Sequence, residues 1–211
     1  MNNFKLNYQG GNMNFLDSKS DYYDVSFSKV DFSGSTLEDT TFEDCEFNHC
    51  NFSSAKISRC KFNHCAFNNC NLSVIEIPDT RFYEIYFNEC KLSGIDWTNA
   101  NWPTFNLDFE LNFTKCILTN SSFLGLKLHN LKMEECRLVD VDFRECDLSN
   151  SVLTGCDFLG SLFNLTILRS VNFTDSWDYS IDVLNNTVTK AKFSKLEALS
   201  LLENLGIELV D

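Results

Sequence analysis

Ten cysteines are the residues with the most evident chemistry in this chain of 211 residues. Thiolates bind zinc and soft metals, form disulfides and act as nucleophiles. Their spacing is regular, because the first six fall on multiples of five and the last four one residue later: 45, 50, 60, 65, 70, 90, 116, 136, 146 and 156. Disulfide frameworks and zinc sites use clustered spacings such as CxxC, which does not occur here. We therefore predict small, buried, inert thiols with no metal and no cofactor.

Other residue types that carry catalysis form no recognisable motif. His49, His64 and His129 lie in different repeats, and none has a second candidate ligand at a spacing known for metal sites. The chain contains no glycine-rich phosphate loop, nucleophile elbow or HExxH sequence. Neighbouring acids such as Glu134 and Glu135 have no predicted concave pocket that would shift their pKa values. The sequence therefore predicts no catalytic residues and no enzyme.

A five-residue repeat organises most of the chain. A large residue recurs at every fifth position, and a small or β-branched residue lies two positions before each one. Neither a helix nor a strand has a period of five. Two inward and three polar outward positions per repeat predict a chain that turns a corner every five residues around a narrow core. The large residues of the first run are Tyr22, Phe27, Phe32, Leu37, Phe42, Phe47, Phe52, Ile57, Phe62, Phe67, Leu72, Ile77, Phe82, Phe87, Leu92, Trp97 and Trp102.

The repeat slips once, between Trp102 and Phe113, where the interval is eleven residues instead of ten. Pro103 lacks a backbone N–H, so the segment 103–112 is predicted to bulge or kink. We interpret the slip as one inserted residue. The repeat resumes with Phe113, Leu118, Phe123, Leu128, Met133, Leu138, Phe143, Leu148, Leu153, Phe158, Phe163, Leu168 and Phe173, is interrupted at Asp178, and ends with Val183, Val188 and Phe193 as a weaker final coil.

The repeat motifs resemble a known family. CNFSSA, CAFNNCNLS and VDFRECDLSNSVL resemble the pentapeptide-repeat consensus A(D/N)Lxx, and the resemblance covers roughly residues 20–193. That family folds as a right-handed, four-sided parallel β-helix with twenty residues per coil. The resemblance implies an all-β solenoid with four walls, which we name after their first large residues: the Tyr22, Phe27, Phe32 and Leu37 walls.

A coil of twenty residues makes specific predictions about stacking. Large residues spaced by twenty should form aromatic columns along the Phe27 wall and along the Tyr22 wall. With a slip of one residue, Phe123, Phe143 and Phe163 are predicted to return to the Tyr22 wall. The Phe27 column contains Phe27, Phe47, Phe67 and Phe87, and the Tyr22 column contains Tyr22, Phe42, Phe62, Phe82 and Trp102.

Both ends of the chain depart from the repeat. Residues 1–19 are predicted to be an irregular or capping segment. In residues 194–211, Ser194 is a candidate helix N-cap, leucines recur at three-residue spacing, and Gly206 is placed to end a short α-helix before a short strand. This tail either caps the last coil or forms a homodimer interface. We predict the homodimer, as the resemblance also implies, with an interface formed by Leu199, Leu202, Leu205, Ile207 and Leu209.

The overall charge limits the class of partner. Seventeen basic and thirty acidic side chains give a net charge of −13, which repels phosphate backbones and anionic lipids. We therefore predict no direct nucleic-acid binding and no membrane association, and we expect a basic protein partner. The sequence shows no apolar run that would indicate a signal peptide or a transmembrane helix, so a cytoplasmic location is expected.

Outward charges divide unequally among the walls when a slip of one residue is assumed. The Tyr22 and Leu37 walls each carry eight acidic and three basic side chains between residues 20 and 182, a net charge of −5, while the other two walls carry 0 and −1. The two acidic walls share an edge, so we predict one acidic side of the rod. The predicted partner-binding residues are Glu38, Asp39, Glu43, Asp44, Glu76, Asp79, Glu84, Asp96, Asp140, Asp142, Glu145 and Asp157.

The chain is also similar to one branch of the family, the topoisomerase-protecting proteins, which include the Qnr proteins, MfpA, McbG and AlbG. The segments CNLSVIEIPDTRFYEIYFNECKLSGIDWTNANWP and SLLENLGIEL look most like the AlbG and McbG type. Members of this branch are dimeric rods that resemble B-DNA and relieve the poisoning of DNA gyrase by quinolones or peptide toxins. The resemblance implies a DNA mimic that binds gyrase or topoisomerase IV.

Some Qnr proteins carry long projecting loops, for which this sequence leaves room only at 103–112. If such loops are needed against quinolones, we expect this protein to protect poorly against quinolones.

The alternative function is a structural or adaptor solenoid that binds another protein without mimicking DNA.

Overall fold

Successive coils of the chain pair as short parallel strands. The computed structural model describes residues 6–12, 21–102, 110–207 and 210. In that part of the chain, every strand pairing is parallel, and the strands form sheets of ten, four and two members. About eight coils at ~4.8 Å each make a rod about 40 Å long. The predicted parallel β-solenoid is confirmed.

Most strands are only three or four residues long, because the chain turns a corner after each one. The strands are β1 (Leu6–Asn12), β2 (Asp21–Tyr23), β3 (Val25–Asp31), β4 (Thr36–Glu38), β5 (Thr41–Glu43), β6 (Glu46–Asn48), β7 (Lys56–Ser58), β8 (Lys61–Asn63), β9 (Ala66–Asn68), β10 (Arg81–Tyr83), β11 (Ile85–Asn88), β12 (Leu111–Thr114), β13 (Lys132–Glu134), β14 (Val152–Thr154), β15 (Asn172–Phe173) and β16 (Lys192–Phe193). Two 3-10 helices, Trp97–Asn99 and Glu197–Leu205, complete the described elements.

Most corners depend on a residue in the left-handed conformation, two positions after the large residue. Asp44, His64 and Asn69 have φ values of 53°, 51° and 54°. Asp, Asn and His enter this region more readily than most residues, and glycine enters it freely. The corner geometry therefore explains why short polar residues recur at this outward position.

The small inward residues form hydrogen bonds with backbone groups next to the corners. The backbone N–H of Cys50 donates to Sγ of Cys70 (3.3 Å), and the thiol of Cys70 donates to the carbonyl of Phe47 (3.2 Å). Thr80 makes the same pair of contacts through its hydroxyl. All ten cysteines are buried, as predicted, and all are present as free thiols. Their hydrogen bonds were not predicted, although Ser and Thr at equivalent positions were a signal for them.

Large residues stack in register along the rod. The rings of Phe47 and Phe67 lie 4.6 Å apart, centroid to centroid, at an interplanar angle of 10°. Tyr22 and Phe42 stack at 5.3 Å on the neighbouring wall. The predicted aromatic columns are confirmed, except that Trp102 tilts by 31° against Phe82 at 6.4 Å.

The wall assignment after residue 102 was wrong. Phe87 pairs with Phe113, and Trp97 stacks on Phe123 with centroids 5.5 Å apart. This coil is therefore 26 residues long instead of the predicted 21. The insertion has six residues, one more than a full repeat. Insertions of one residue and of six residues shift a five-residue register by the same amount, so the sequence period does not distinguish them. Of the predicted bulge at 103–112, residues 103–109 lie outside the described residues.

Residues after the insertion therefore lie on the wall next to the one predicted for them. Phe123, Phe143 and Phe163 lie on the Leu37 wall and not on the Tyr22 wall, because Trp97, Phe123 and Phe143 form one continuous stack. Met133 and Leu153 likewise continue the Phe27 wall.

The final coil departs from its predicted register as well. Ile181, fully buried, pairs with Phe163 in the place predicted for Val183, which is only half-buried. The spacing is eighteen residues because Asp178 and the buried Tyr179 bring the chain to the corner early. Pairing in steps of twenty returns between Ile167 and Thr187.

Both ends differ from the sequence interpretation. Within residues 1–19, β1 pairs with β3, and Tyr8 stacks on Phe27 at 5.5 Å, so part of this segment extends the sheet. The C-terminal helix is a 3-10 helix instead of an α-helix, and Ser194 does not cap it, since its hydroxyl accepts from the N–H of Asp175. Gly206 ends the helix in the left-handed conformation.

Within the described ranges, no helix is both long enough and apolar enough to cross a membrane.

The stacked core makes a quantitative prediction. Phe67→Ala should lower the free energy of unfolding by about 3 to 5 kcal/mol, because the ring is buried between two stacked neighbours and leaves a cavity in a narrow core. Chemical denaturation monitored by circular dichroism measures this loss. Tyr86→Ala, 42% exposed on the same wall, is the control and should cost less than about 1 kcal/mol. Equal losses for both variants would contradict the inward packing.

Candidate interaction surface

Acidic charge concentrates on the Leu37 wall once residues are assigned by their observed pairing. Among the described residues between 21 and 182, this wall carries eight acidic and three basic side chains, a net charge of −5. The Tyr22, Phe27 and Phe32 walls carry −3, −2 and −2. The acidic residues of the Leu37 wall are Glu38, Asp39, Glu76, Asp79, Asp96, Asp142, Glu145 and Asp182, and the basic ones are Lys56, Arg59 and Arg144.

Four of the predicted residues lie on a different wall from the one assigned to them. Asp142 and Glu145 belong to the Leu37 wall, not the Tyr22 wall, and Asp140 and Asp157 belong to the Phe32 wall, not the Leu37 wall. The cause is the six-residue insertion, which shifts all pairings after it. The predicted pair of equally acidic walls is therefore wrong, and a single wall is the most acidic.

The acidic surface changes its neighbouring wall at the insertion. In the first half of the rod the Leu37 wall is flanked by acidic residues of the Tyr22 wall, among them Glu43, Asp44 and Glu84. In the second half it is flanked by Asp140 and Asp157 of the Phe32 wall. The Leu37 wall carries the largest net negative charge of the four walls, with −3 in the first half of the rod and −2 in the second.

Arg59 joins two coils within the acidic wall. Its Nε lies 2.7 Å from Oδ1 of Asp39, and its Nη2 lies 3.1 Å from Oδ2 of the same residue and 3.5 Å from Oε2 of Glu38. The hydrogen bond and the charge of Asp39 raise the pKa of Arg59. Because all three side chains are 37 to 50% exposed, a charged partner can reach them, and the pair itself contributes little stability.

Further along the same wall, Asp142 and Arg144 form a two-point ion pair within one coil. Nη2 of Arg144 lies 2.7 Å from Oδ2 of Asp142, and Nε lies 2.9 Å from Oδ1. These hydrogen bonds lower the pKa of Asp142, so its carboxylate is ionised at neutral pH. Glu145 and Asp182 then provide the uncompensated charge of this half of the wall.

Asp96 has a structural role besides its charge. Its carboxylate accepts hydrogen bonds from the N–H and the hydroxyl of Thr98, at 3.0 and 2.6 Å, and caps the short 3-10 helix Trp97–Asn99. We therefore separate Asp96 from the other acidic residues when variants are chosen, because its replacement would disturb the corner.

Two of the histidines, His64 and His129, lie on the surface beside acidic side chains. His64 lies between two coils, with Nε2 3.2 Å from Oε2 of Glu84 and Nδ1 3.8 Å from Oδ1 of Asp44. Nε2 of His129 lies 2.9 Å from Oδ2 of Asp147. In the described ranges no three His, Cys, Asp or Glu side chains are grouped as a metal site would require.

The C-terminal helix leaves apolar side chains exposed. Leu199, Leu205 and Ile207 are 50, 41 and 50% exposed, and Leu202 is half-buried. Leu209, also predicted for the dimer interface, lies outside the described residues. Leu201 packs against the core and attaches the helix to the last coil.

Comparisons with known proteins bear on the fold. A family model described as "Pentapeptide repeat region" matches residues 40–109 and 107–173. Full-length QnrB1, described as a plasmid-mediated fluoroquinolone resistance protein, is similar in structure at 22% identity, covering 96% of this chain and 98% of its own, with a TM-score of 0.51. HetL, involved in heterocyst differentiation regulation in the cyanobacterium Nostoc, has 15% identity, coverage of 89% and 87%, and a TM-score of 0.48. A search among curated proteins finds no match.

Proposed function

The chain belongs to the pentapeptide-repeat family, and on this premise we propose that it is a non-enzymatic DNA mimic. It binds the basic DNA-gripping surface of DNA gyrase or topoisomerase IV in the cytoplasm and protects the enzyme from topoisomerase poisons. The observation that carries the proposal is the Leu37 wall, which has the largest net charge of the four walls, −5, and is negative in both halves of the rod. A surface that served only solubility would not need one wall to be more acidic than the others.

The charge density of the rod is of the right order for this role. A net charge of −13 over about 40 Å is about one charge per 3 Å, roughly half the value of duplex DNA at one per ~1.7 Å. Attraction to a basic surface at this density is long-ranged and is weakened by salt. The flanking acidic residues widen the acidic surface to two walls in each half of the rod.

The type of poison follows from resemblance alone. The segments that look like AlbG and McbG favour a peptide toxin, while the likeness to QnrB1, a fluoroquinolone resistance protein, makes quinolones the second class to test. At 22% identity that likeness supports the fold and leaves the choice of poison to experiment.

A homodimer is part of the proposal. The exposed side chains of Leu199, Leu205 and Ile207 continue beyond the end of the solenoid, where a second copy can cover them. Two rods joined end to end span about 80 Å, the length of roughly 24 base pairs at ~3.4 Å each. Such a length lets one dimer extend across a symmetric, two-subunit partner.

The dimer has a direct test. Leu199→Ser combined with Leu205→Ser should convert a dimer to a monomer in sedimentation equilibrium, because it removes two exposed leucines and leaves Leu201 to hold the helix on the coil. Leu124→Ser, 40% exposed on the Leu37 wall, is the control and should stay dimeric. A wild-type chain that is monomeric at micromolar concentration would overturn this part of the proposal.

Protection of poisoned gyrase tests the function. The variant with Glu38, Asp39, Glu76 and Asp79 replaced by Lys should lose protection in a supercoiling assay with an albicidin-type toxin, a microcin-type toxin or a quinolone. The reversal raises the net charge from −13 to −5, since each substitution adds two charges. A companion with Gln, Asn, Gln and Asn at the same positions reduces the risk of misfolding from lysines beside Arg59 and should show an intermediate loss.

A matched control variant separates the effect of charge on the Leu37 wall from the effect of the total charge of the chain. Replacing Glu89, Glu134, Glu135 and Asp175 by Lys gives the same net charge of −5 but changes only the Phe27 wall. This control should keep most of its protection at physiological salt. Equal loss in both variants would attribute the effect to net charge, and no protection by the wild type against any of the three poisons would reject the function in favour of an adaptor.

A further inference from the structure

A groove opens on the Leu37 wall where the final coil departs from the regular spacing. Ile181 pairs with Phe163 two residues early, so the chain between Asp182 and Asn186 makes a wider turn. The groove is lined by Arg144, Ser161, Leu162, Phe163, Asn164, Ser180 and Asp182. Leu162 and Phe163 are its apolar residues, and the rest of its lining is polar or charged.

Three exposed leucines lie on the two coils that form this groove. Leu162, which lines it, and Leu165 and Leu184 are 47, 64 and 72% exposed, and the N–H of Leu165 donates to the carbonyl of Asn185, which places Leu165 and Leu184 on adjacent coils. Isolated exposed leucines are common, but three on two adjacent coils form a patch. The patch lies on the side of the rod, whereas the leucines assigned to the dimer lie on its end.

Leu165 also has an unusual backbone conformation. Its φ is 56°, and of the 26 non-glycine residues with positive φ in the described chain, only Leu165 and Val74 are apolar. The other non-glycine corners, apart from Val74, use polar residues, and Asp, Asn and His among them adopt this conformation more readily than leucine does. An exposed leucine held there contributes nothing to the core, so its apolar side chain points to a contact outside this chain.

The surroundings of the groove are acidic. Between residues 117 and 182 the Phe32 and Leu37 walls together carry six acidic and two basic side chains. Arg144 is neutralised by Asp142, so the charge next to the leucines comes from Glu145 and Asp182. The carboxylate of Asp182 also accepts from the N–H of Leu184 (2.8 Å) and fixes the turn that carries this leucine.

We propose that the groove, with its lining residues Leu162, Phe163 and Asp182 and the exposed Leu165 and Leu184 on the same two coils, binds a basic amphipathic helix of another protein. Apolar side chains of such a helix would occupy the groove, while Lys or Arg on its flanks meet Glu145 and Asp182. The inference goes beyond DNA mimicry, because a helix of this kind need not belong to a DNA-gripping surface.

A second copy of the chain is the competing occupant, and charge argues against it. The C-terminal 3-10 helix is the apolar segment that a second copy would offer, but its span Glu197–Leu205 contains Glu197 and Glu203 and no basic residue. In the groove it would place carboxylates beside Glu145 and Asp182. A foreign helix with basic flanks fits better.

The test uses the full chain and a labelled synthetic helix of Leu and Lys, about 18 residues or roughly five turns long. A scrambled peptide of the same composition, which has no apolar face, is the reference. Fluorescence anisotropy should show the amphipathic peptide binding about tenfold or more tightly than the scrambled one. Equal binding of the two peptides would overturn the proposal, because it would reduce the interaction to net charge.

The matched variants localise the site. Leu165→Asn with Leu184→Asn should weaken binding about tenfold or more, and Leu124→Asn, another exposed leucine on the same wall, should not change it. Asn suits the left-handed conformation, so the double variant should melt no lower than the wild type. Unchanged affinity in the double variant overturns the proposal, as does loss of a wild-type dimer in that variant, which would assign the groove to a second copy. A failure of gyrase protection leaves this test unaffected.

Discussion

The hydrogen bonds between successive coils are the interaction on which the rest of this molecule depends. Most strands have only three or four residues, so they are not stable alone, and every coil relies on the one above and the one below. The ladder fixes a spacing of ~4.8 Å between equivalent residues, at which aromatic rings such as Phe47 and Phe67 stack almost parallel. At the corners, where the ladder is interrupted, thiols and hydroxyls complete it.

This constraint determines which residues remain available for function. Two of five positions face inward, so variation that affects a partner is confined to three outward positions on each wall. Charge at one outward position is repeated 4.8 Å further on only if the register is kept, which makes the acidic Leu37 wall sensitive to any insertion. The six-residue insertion preserves that wall as acidic but exchanges its acidic neighbour, from the Tyr22 wall to the Phe32 wall. The shift of Ile181 likewise creates a groove without breaking the core.

Much of the fold was predictable because the period of five assigns each residue to the inside or the outside. The wall to which each residue of the second half belongs was not predictable, because a period of five continues unchanged through one extra whole repeat. One signal was available: Cys50, Cys70 and Cys90 form a single hydrogen-bonded column with Cys116 and Cys136 only if the insertion has six residues. Leucines spaced by three also match the 3.0 residues per turn of a 3-10 helix, which explains the helix type observed after Leu196. The groove beside Leu165 could not be predicted, because it results from a local change of pairing at Ile181.

The central claim is that the acidic wall occupies the place of DNA, and competition measures it most directly. Wild-type protein bound to gyrase should be displaced by increasing duplex DNA in a labelled binding assay, and the complex should weaken steeply as salt rises from about 50 to 200 mM. We predict that DNA and this protein never occupy the same site on gyrase together. A stable ternary complex of gyrase, duplex and protein, insensitive to DNA concentration, would contradict it.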